Sequence, residues 1–130
     1  MAFLWGMTLD TNILIAYLGG DQGVVRQVQI WRRERTPLFI SSITECELLS
    51  YPKLSRQEEL LIEDFLLDNF TIIAFERFMA RRAAAIRRQI PSLKLPDAAI
   101  AALALSTDTP LVTRNIKDFR RVPSLTIVEL

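Results

Sequence analysis

Leu9-Asp10-Thr11-Asn12 is the stretch whose reading decides the fold. Ahead of it, residues 2–9 are apolar except at Gly6 and Thr8 and read as a short buried strand. Behind it, Ile13, Leu14, Tyr17 and Leu18 recur at helical spacing. An acid at a strand-to-helix junction lies at the carboxyl edge of a sheet, where open α/β folds place their ligands. Asn12 is suited to start the helix, because its side chain can pair backbone N–H groups that have no partner there. Asp10 therefore has two readings, an acid facing a ligand or a second cap on the same helix.

Outward from this junction, strand-like and helical segments alternate. Residues 24–35 read as a helix with a basic end (Arg32, Arg33, Arg35), and residues 37–41 as a strand leading into a helical segment from about Ser42. Ser55-Arg56-Gln57-Glu58 has the form of a capping box. It opens a helix to about Asp68, with Leu60, Leu61, Phe65 and Leu66 facing the core. Residues 70–75 read as a third strand and 76–89 as an arginine-bearing helix. After a loop bounded by prolines, Asp97 opens an apolar helix, residues 98–105, expected to be buried against the sheet. Residues 111–113 and 125–128 supply two further strands. This alternation predicts a single domain over residues 1–130, an α/β/α sandwich on a mainly parallel sheet of about five strands.

Composition narrows the chemistry. Half of the 130 residues are hydrophobic, enough for a core without disulfides, and the net charge of +1 carries no global field toward nucleic acid. The basic side is nearly all arginine, with lysine only at Lys53, Lys94 and Lys117. Arginine suits bidentate phosphate contacts, but it is also an ordinary solvated helix residue. Cys46 is the single cysteine and suits a reducing compartment. No secretory signal or membrane-length apolar run is present, so a cytoplasmic protein is expected. Met7 is an alternative start to Met1. Histidine is absent, which excludes Ser-His-Asp triads and His-ligated zinc. Any metal would have to be held by oxygen, which selects Mg²⁺ or Mn²⁺.

Four acids fall at comparable junctions: Asp10 after the first strand, Glu47 after the second, Asp118 after the fourth, and Asp97 at the start of the buried helix. Carboxylates gathered at one sheet edge repel one another unless a cation balances them. Each also has a plainer reading. Asp97 could be an N-cap, Glu47 could lie on a solvated face with Glu45 as its rival, and Asp118 could be a surface charge.

The pieces Leu-Asp-Thr-Asn at 9–12, Ser-Ile-Thr-Glu-Cys-Glu-Leu-Leu at 42–49, Asp-Ala-Ala-Ile-Ala-Ala at 97–102 and Thr-Arg-Asn-Ile-Lys-Asp-Phe at 113–119 together resemble the PIN-domain ribonucleases, and among them the VapC-type toxins. The resemblance implies hydrolysis of RNA phosphodiesters with Mg²⁺ or Mn²⁺. It places the first and third acids at Asp10 and Asp97 and the second at Glu47 rather than Glu45. For the fourth position it offers two places: many relatives carry an acid where this chain has Asn115, and others use the acid at the position of Asp118, the expected fourth metal-site acid here. Thr113 and Asn115 look like the polar pair that positions the metal or its water. Ser50 departs from a frequent glycine. The resemblance further implies a small antitoxin partner and a homodimer. Outside it, two other classes are weighed: a PIN-like domain that binds protein or RNA without cutting, and phosphoryl transfer with Asp10 as acceptor. The dehalogenase-like form of the second would want an acid where Asn12 stands.

Overall fold

The computed structural model describes residues 6–130. The first strand, β1 (Met7–Leu9), is buried throughout; its expected extension over residues 2–5 lies outside the described residues. Helices α1 (Thr11–Leu18) and α2 (Gln22–Arg33) follow, then β2 (Leu38–Ser41), α3 (Ser42–Leu49), α4 (Arg56–Asn69) and β3 (Thr71–Ile73). The second half comprises α5 (Arg77–Gln89), α6 (Leu95–Thr107), β4 (Leu111–Thr113), α7 (Ile116–Phe119) and β5 (Ile127–Glu129).

All pairings are parallel, and the strand order is β3-β2-β1-β4-β5. The chain thus winds one way from β1 to β3 and the other way from β4 to β5. The order reverses between β1 and β4, so their carboxyl ends flank the crevice where open α/β sheets bind ligands.

Alternation along each strand feeds two cores. Met7 and Leu9 of β1 and Val112 of β4 join Ile13, Leu14, Val28, Trp31 and Leu66 beneath α1, α2 and α4. Leu111, on the opposite face of β4, joins Ala83, Ile86, Ile100 and Phe119 beneath α5 and α6. Every residue of α6 from Ala98 to Ala104 is buried. Its run of alanines lets the helix backbone lie close to both the sheet and α5. Helix α3 packs against both α1 and α6, closing the layers at the carboxyl edge. At the opposite edge Gly6 has a φ of 94°, and a side chain there would run into the Pro37 carbonyl oxygen.

Several local expectations are corrected. Asp10, not Asn12, is the N-cap of α1. Helix α6 begins earlier than expected, because Pro96 is accepted in a first turn where its missing N–H has no partner to lose. Asp97 is consequently inside that turn rather than at the cap. The capping box of Ser55 and Glu58 forms as expected, but only part of α4's apolar set faces inward. Leu66 is buried and Phe65 partly so, whereas Leu60 and Leu61 are exposed. Leu105 is half-buried, β3 is shorter than residues 70–75, and β5 starts two residues late, at Ile127.

Candidate active site

Asp10 anchors the carboxyl edge because the end of β1 gives it two fixed donors. Its Oδ1 accepts the Thr11 backbone N–H at 2.8 Å, the capping contact, and its Oδ2 accepts the Thr113 hydroxyl at 2.7 Å. The two readings of Asp10 therefore coexist, one oxygen serving the helix and the other facing β4 across the switch point. Its residue exposure is only 4%. Burial pushes its carboxyl above the ordinary value, against the pull of the Thr113 and Thr11 hydrogen bonds, and the Glu47 charge adds to the rise.

Glu47 is brought to the same edge by α3. The Thr11 hydroxyl donates to its Oε1 at 2.7 Å and lies 3.0 Å from the Thr44 hydroxyl. Two residues apart on a helix is roughly 200° of rotation, so Glu45 points elsewhere. Asp97 arrives from α6, which runs back across the sheet and starts at this edge. Its carboxyl is pushed up to about 6, mainly by burial and then by the charges of Asp10, Glu47 and Asp118. All four expected acids thus share one electrostatic neighbourhood.

They do not share it equally. Thr113 Oγ1 accepts the Asn115 backbone N–H at 2.9 Å, and Asn115 Nδ2 donates to Asp118 Oδ2 at 3.1 Å. The other Asp118 oxygen is paired with Arg121 at 3.2 Å. A hydrogen-bonded line therefore runs from Asp10 through Thr113 and Asn115 to Asp118, with Asp118 at its outer end. Arg114, within the same segment, is tied to Asp21 Oδ2 at 2.8 Å and to the Leu130 carbonyl. That contact holds the Asp21 carboxyl below its ordinary range.

Thr11 and Thr44 have a part that the motif reading did not assign. Both stand inside the motifs, but hydroxyls flanking an acid carry no signal until the fold shows which acid they face.

Among the described residues, no three acid or cysteine side chains converge closely enough to ligate one ion directly. The donor chemistry nevertheless suits a hard cation: oxygen ligands only, and mutually repelling carboxylates whose cationic neighbours are Lys94, acting on Asp97, and Arg121, paired with Asp118. In the turn after Asp10, moreover, the buried Asn12 Oδ1 has no hydrogen-bond partner. By charge and donor type, Asp10, Glu47 and Asp97 are compatible with a divalent ion.

Comparison with known proteins agrees with the motifs. The PIN domain model matches residues 7–125, and the chain belongs to the PIN-domain family. A toxin–antitoxin complex from Klebsiella pneumoniae contains a chain 33% identical, with a TM-score of 0.78 over 96% of this chain and 100% of that one. VapBC2 from Rickettsia felis, bound to a DNA fragment from its promoter, shares the fold at 24% identity and a TM-score of 0.80, covering 95% of this chain and 98% of its own. DNA-bound VapBC from Salmonella typhimurium does so at the same identity and TM-score, over 95% and 97%. The likeness to VapC-type toxins thus has its counterpart in neighbours that are toxin–antitoxin complexes. No curated protein sequence matches the chain.

Proposed function

We propose that the chain acts as one nuclease domain, a Mg²⁺- or Mn²⁺-dependent endoribonuclease serving as the toxin of a toxin–antitoxin pair in the cytoplasm. The observation that carries this reading is the pairing of Asp10 with Thr113 and of Glu47 with Thr11 at the switch point, within reach of Asp97's charge. Asp10, Glu47 and Asp97 would hold the ion, with Asp118 and Asn115 completing its surroundings. When bound, such an ion lowers the pKa of water and neutralises charge on a phosphoryl oxygen, so no histidine base is required.

The protein's own groups set the conditions. Thr113 and Thr11 fix one oxygen each of Asp10 and Glu47, so both carboxylates are oriented before substrate arrives. Below about pH 6 Asp97 carries a proton. Entry of a cation at neutral pH is therefore favoured over entry in acid, where that proton must leave. Hydrolysis adds water oxygen to phosphorus and breaks one ribose P–O bond.

The partner side of the proposal rests on apolar surface. Ile15 and Leu18 of α1 and Leu60, Leu61 and Leu67 of α4 are exposed. Tyr17 of α1 and Phe65 of α4 touch, with ring centroids 5.1 Å apart. Such surface suits an antitoxin or a second copy of the chain. Among the described residues, no helix is long and apolar enough to cross a membrane.

The test is cleavage of mixed RNA with Mn²⁺ and with EDTA. Wild type should cut only with metal, Glu47→Gln should lose cleavage while staying folded, and Glu45→Gln should keep most of it. Reversed variants would move the second acid to Glu45. A folded wild type that binds RNA and never cuts it would make this a binding module instead.

A further inference from the structure

Beyond the acids, the segment after β4 builds a second polar feature. A cavity of about 300 Å³ is lined by Ser92, Lys117, Asp118, Arg120 and Arg121. Three cations and one carboxylate leave it a formal charge of +2. The carboxylate is already matched, since Asp118 pairs with Arg121. Arg121 is further held by the Ser92 hydroxyl at 2.7 Å and the Asp118 carbonyl, so its guanidinium plane is fixed. A guanidinium has five N–H donors, and these three hydrogen bonds leave two for a ligand. Lys117 and Arg120 are exposed, and their side chains make no hydrogen bond or ion pair with another described residue.

We infer that this cavity is a phosphate-binding subsite, which takes a backbone phosphate of the RNA one or more nucleotides away from the bond that is cut. Its placement follows from Asp118, whose two oxygens have separate partners. One is joined through Asn115 and Thr113 to Asp10, and the other holds Arg121 at the cavity wall. A strand with one phosphate at the acids can thus lay a neighbouring phosphate beside Arg121. A rigid guanidinium with two exposed cations suits the tetrahedral, multiply accepting phosphate group. The acids alone would repel the same backbone, so a cationic subsite next to them gives the strand a fixed register.

This inference rests on RNA being the substrate, and the test separates the two. A labelled single-stranded oligoribonucleotide is titrated in EDTA, where nothing is cut, at several salt concentrations. The protein is wild type, Lys117→Ala/Arg120→Ala, the charge-keeping Lys117→Arg/Arg120→Lys, or Arg33→Ala at the far end of α2. The alanine pair should bind roughly tenfold more weakly, with the salt slope reduced by about 0.7 for each phosphate that is no longer neutralised. The charge-keeping pair should retain the slope, and Arg33→Ala should match wild type.

An unchanged slope in the alanine pair overturns the subsite even if wild type cuts RNA with Mn²⁺, which leaves the nuclease reading standing. A wild type that neither binds nor cuts overturns both. If an acidic peptide loses affinity for the alanine pair while the oligonucleotide does not, the cavity receives protein carboxylates and the phosphate assignment is wrong.

Discussion

The two edges of the sheet use the same residue in opposite ways. Near the amino edge, buried Thr8 meets the Thr109 hydroxyl at 2.7 Å, and Thr109 meets Thr107 at 2.9 Å. That chain is neutral, and its end is closed on the Leu103 carbonyl. At the carboxyl edge, Thr11 and Thr113 donate to Glu47 and Asp10 instead. One edge satisfies its polar groups internally. The other orients negative charge that its own donors do not neutralise. Buried hydroxyls stabilise in both places, but only the second arrangement leaves something for a ligand to complete.

Substitutions can break this contrast. The largest effect should come midway along α6, which joins the edges: Ala101 is fully buried, and Ala101→Arg introduces an unpaired charge costing about 3–5 kcal/mol. The variant should be unfolded or insoluble, and a melting curve like wild type's would misplace the helix. Next comes a matched pair. Thr113→Val removes a hydrogen bond to a buried carboxylate and should cost about 1.5–3 kcal/mol together with most nuclease activity. Thr109→Val leaves the buried Thr8 hydroxyl without its partner and should cost about 1–3 kcal/mol while leaving activity alone. Equal losses of activity in both, measured beside urea unfolding, would erase the distinction between the edges.

A smaller effect should appear in the pH dependence of metal-free protein. Asp97 rises from 3.8 to about 6 on folding, so the folded state binds that proton more tightly than the unfolded chain. Stability should therefore decline as pH climbs from about 4 through about 6 in EDTA. Asp97→Asn should flatten the decline and Thr109→Val should not. Asp10, also raised, acts in the same direction; Asp21 and Glu58, whose values are lowered, oppose it on the acid side.

Much of the fold and of the acids at the carboxyl edge is legible in the sequence alone, whereas the hydroxyl chain of Thr8, Thr109 and Thr107 is not. The run after Asp97 has no polar face, so it must be buried, and β4 is read with its observed bounds of Leu111–Thr113. The acids stand out because each follows a strand or opens a helix in a parallel sheet. What stays hidden depends on three dimensions. Asp10 and Asn12 are both good caps, and only the folded backbone, extended at Asp10 and helical from Thr11, marks Asp10 as the cap. Leu60 and Leu61 match a core pattern, but α4 carries more apolar side chains than one face can bury. Arg114 and Arg121 look alike in sequence, yet Asp21, distant in the chain, engages one while Asp118 and Ser92 orient the other.

The most direct test of the account is thermal unfolding with and without Mn²⁺ for wild type, Asp10→Asn and Thr109→Val. Preferential binding to the folded state should raise the wild-type midpoint by several degrees when Mn²⁺ is in hundredfold excess over its Kd, about 2.7 kcal/mol. Thr109→Val should start lower and gain the same increment, and Asp10→Asn should lose most of it. An increment in Asp10→Asn as large as in wild type, or none in wild type, would contradict the claim that the carboxyl edge is built to receive a cation.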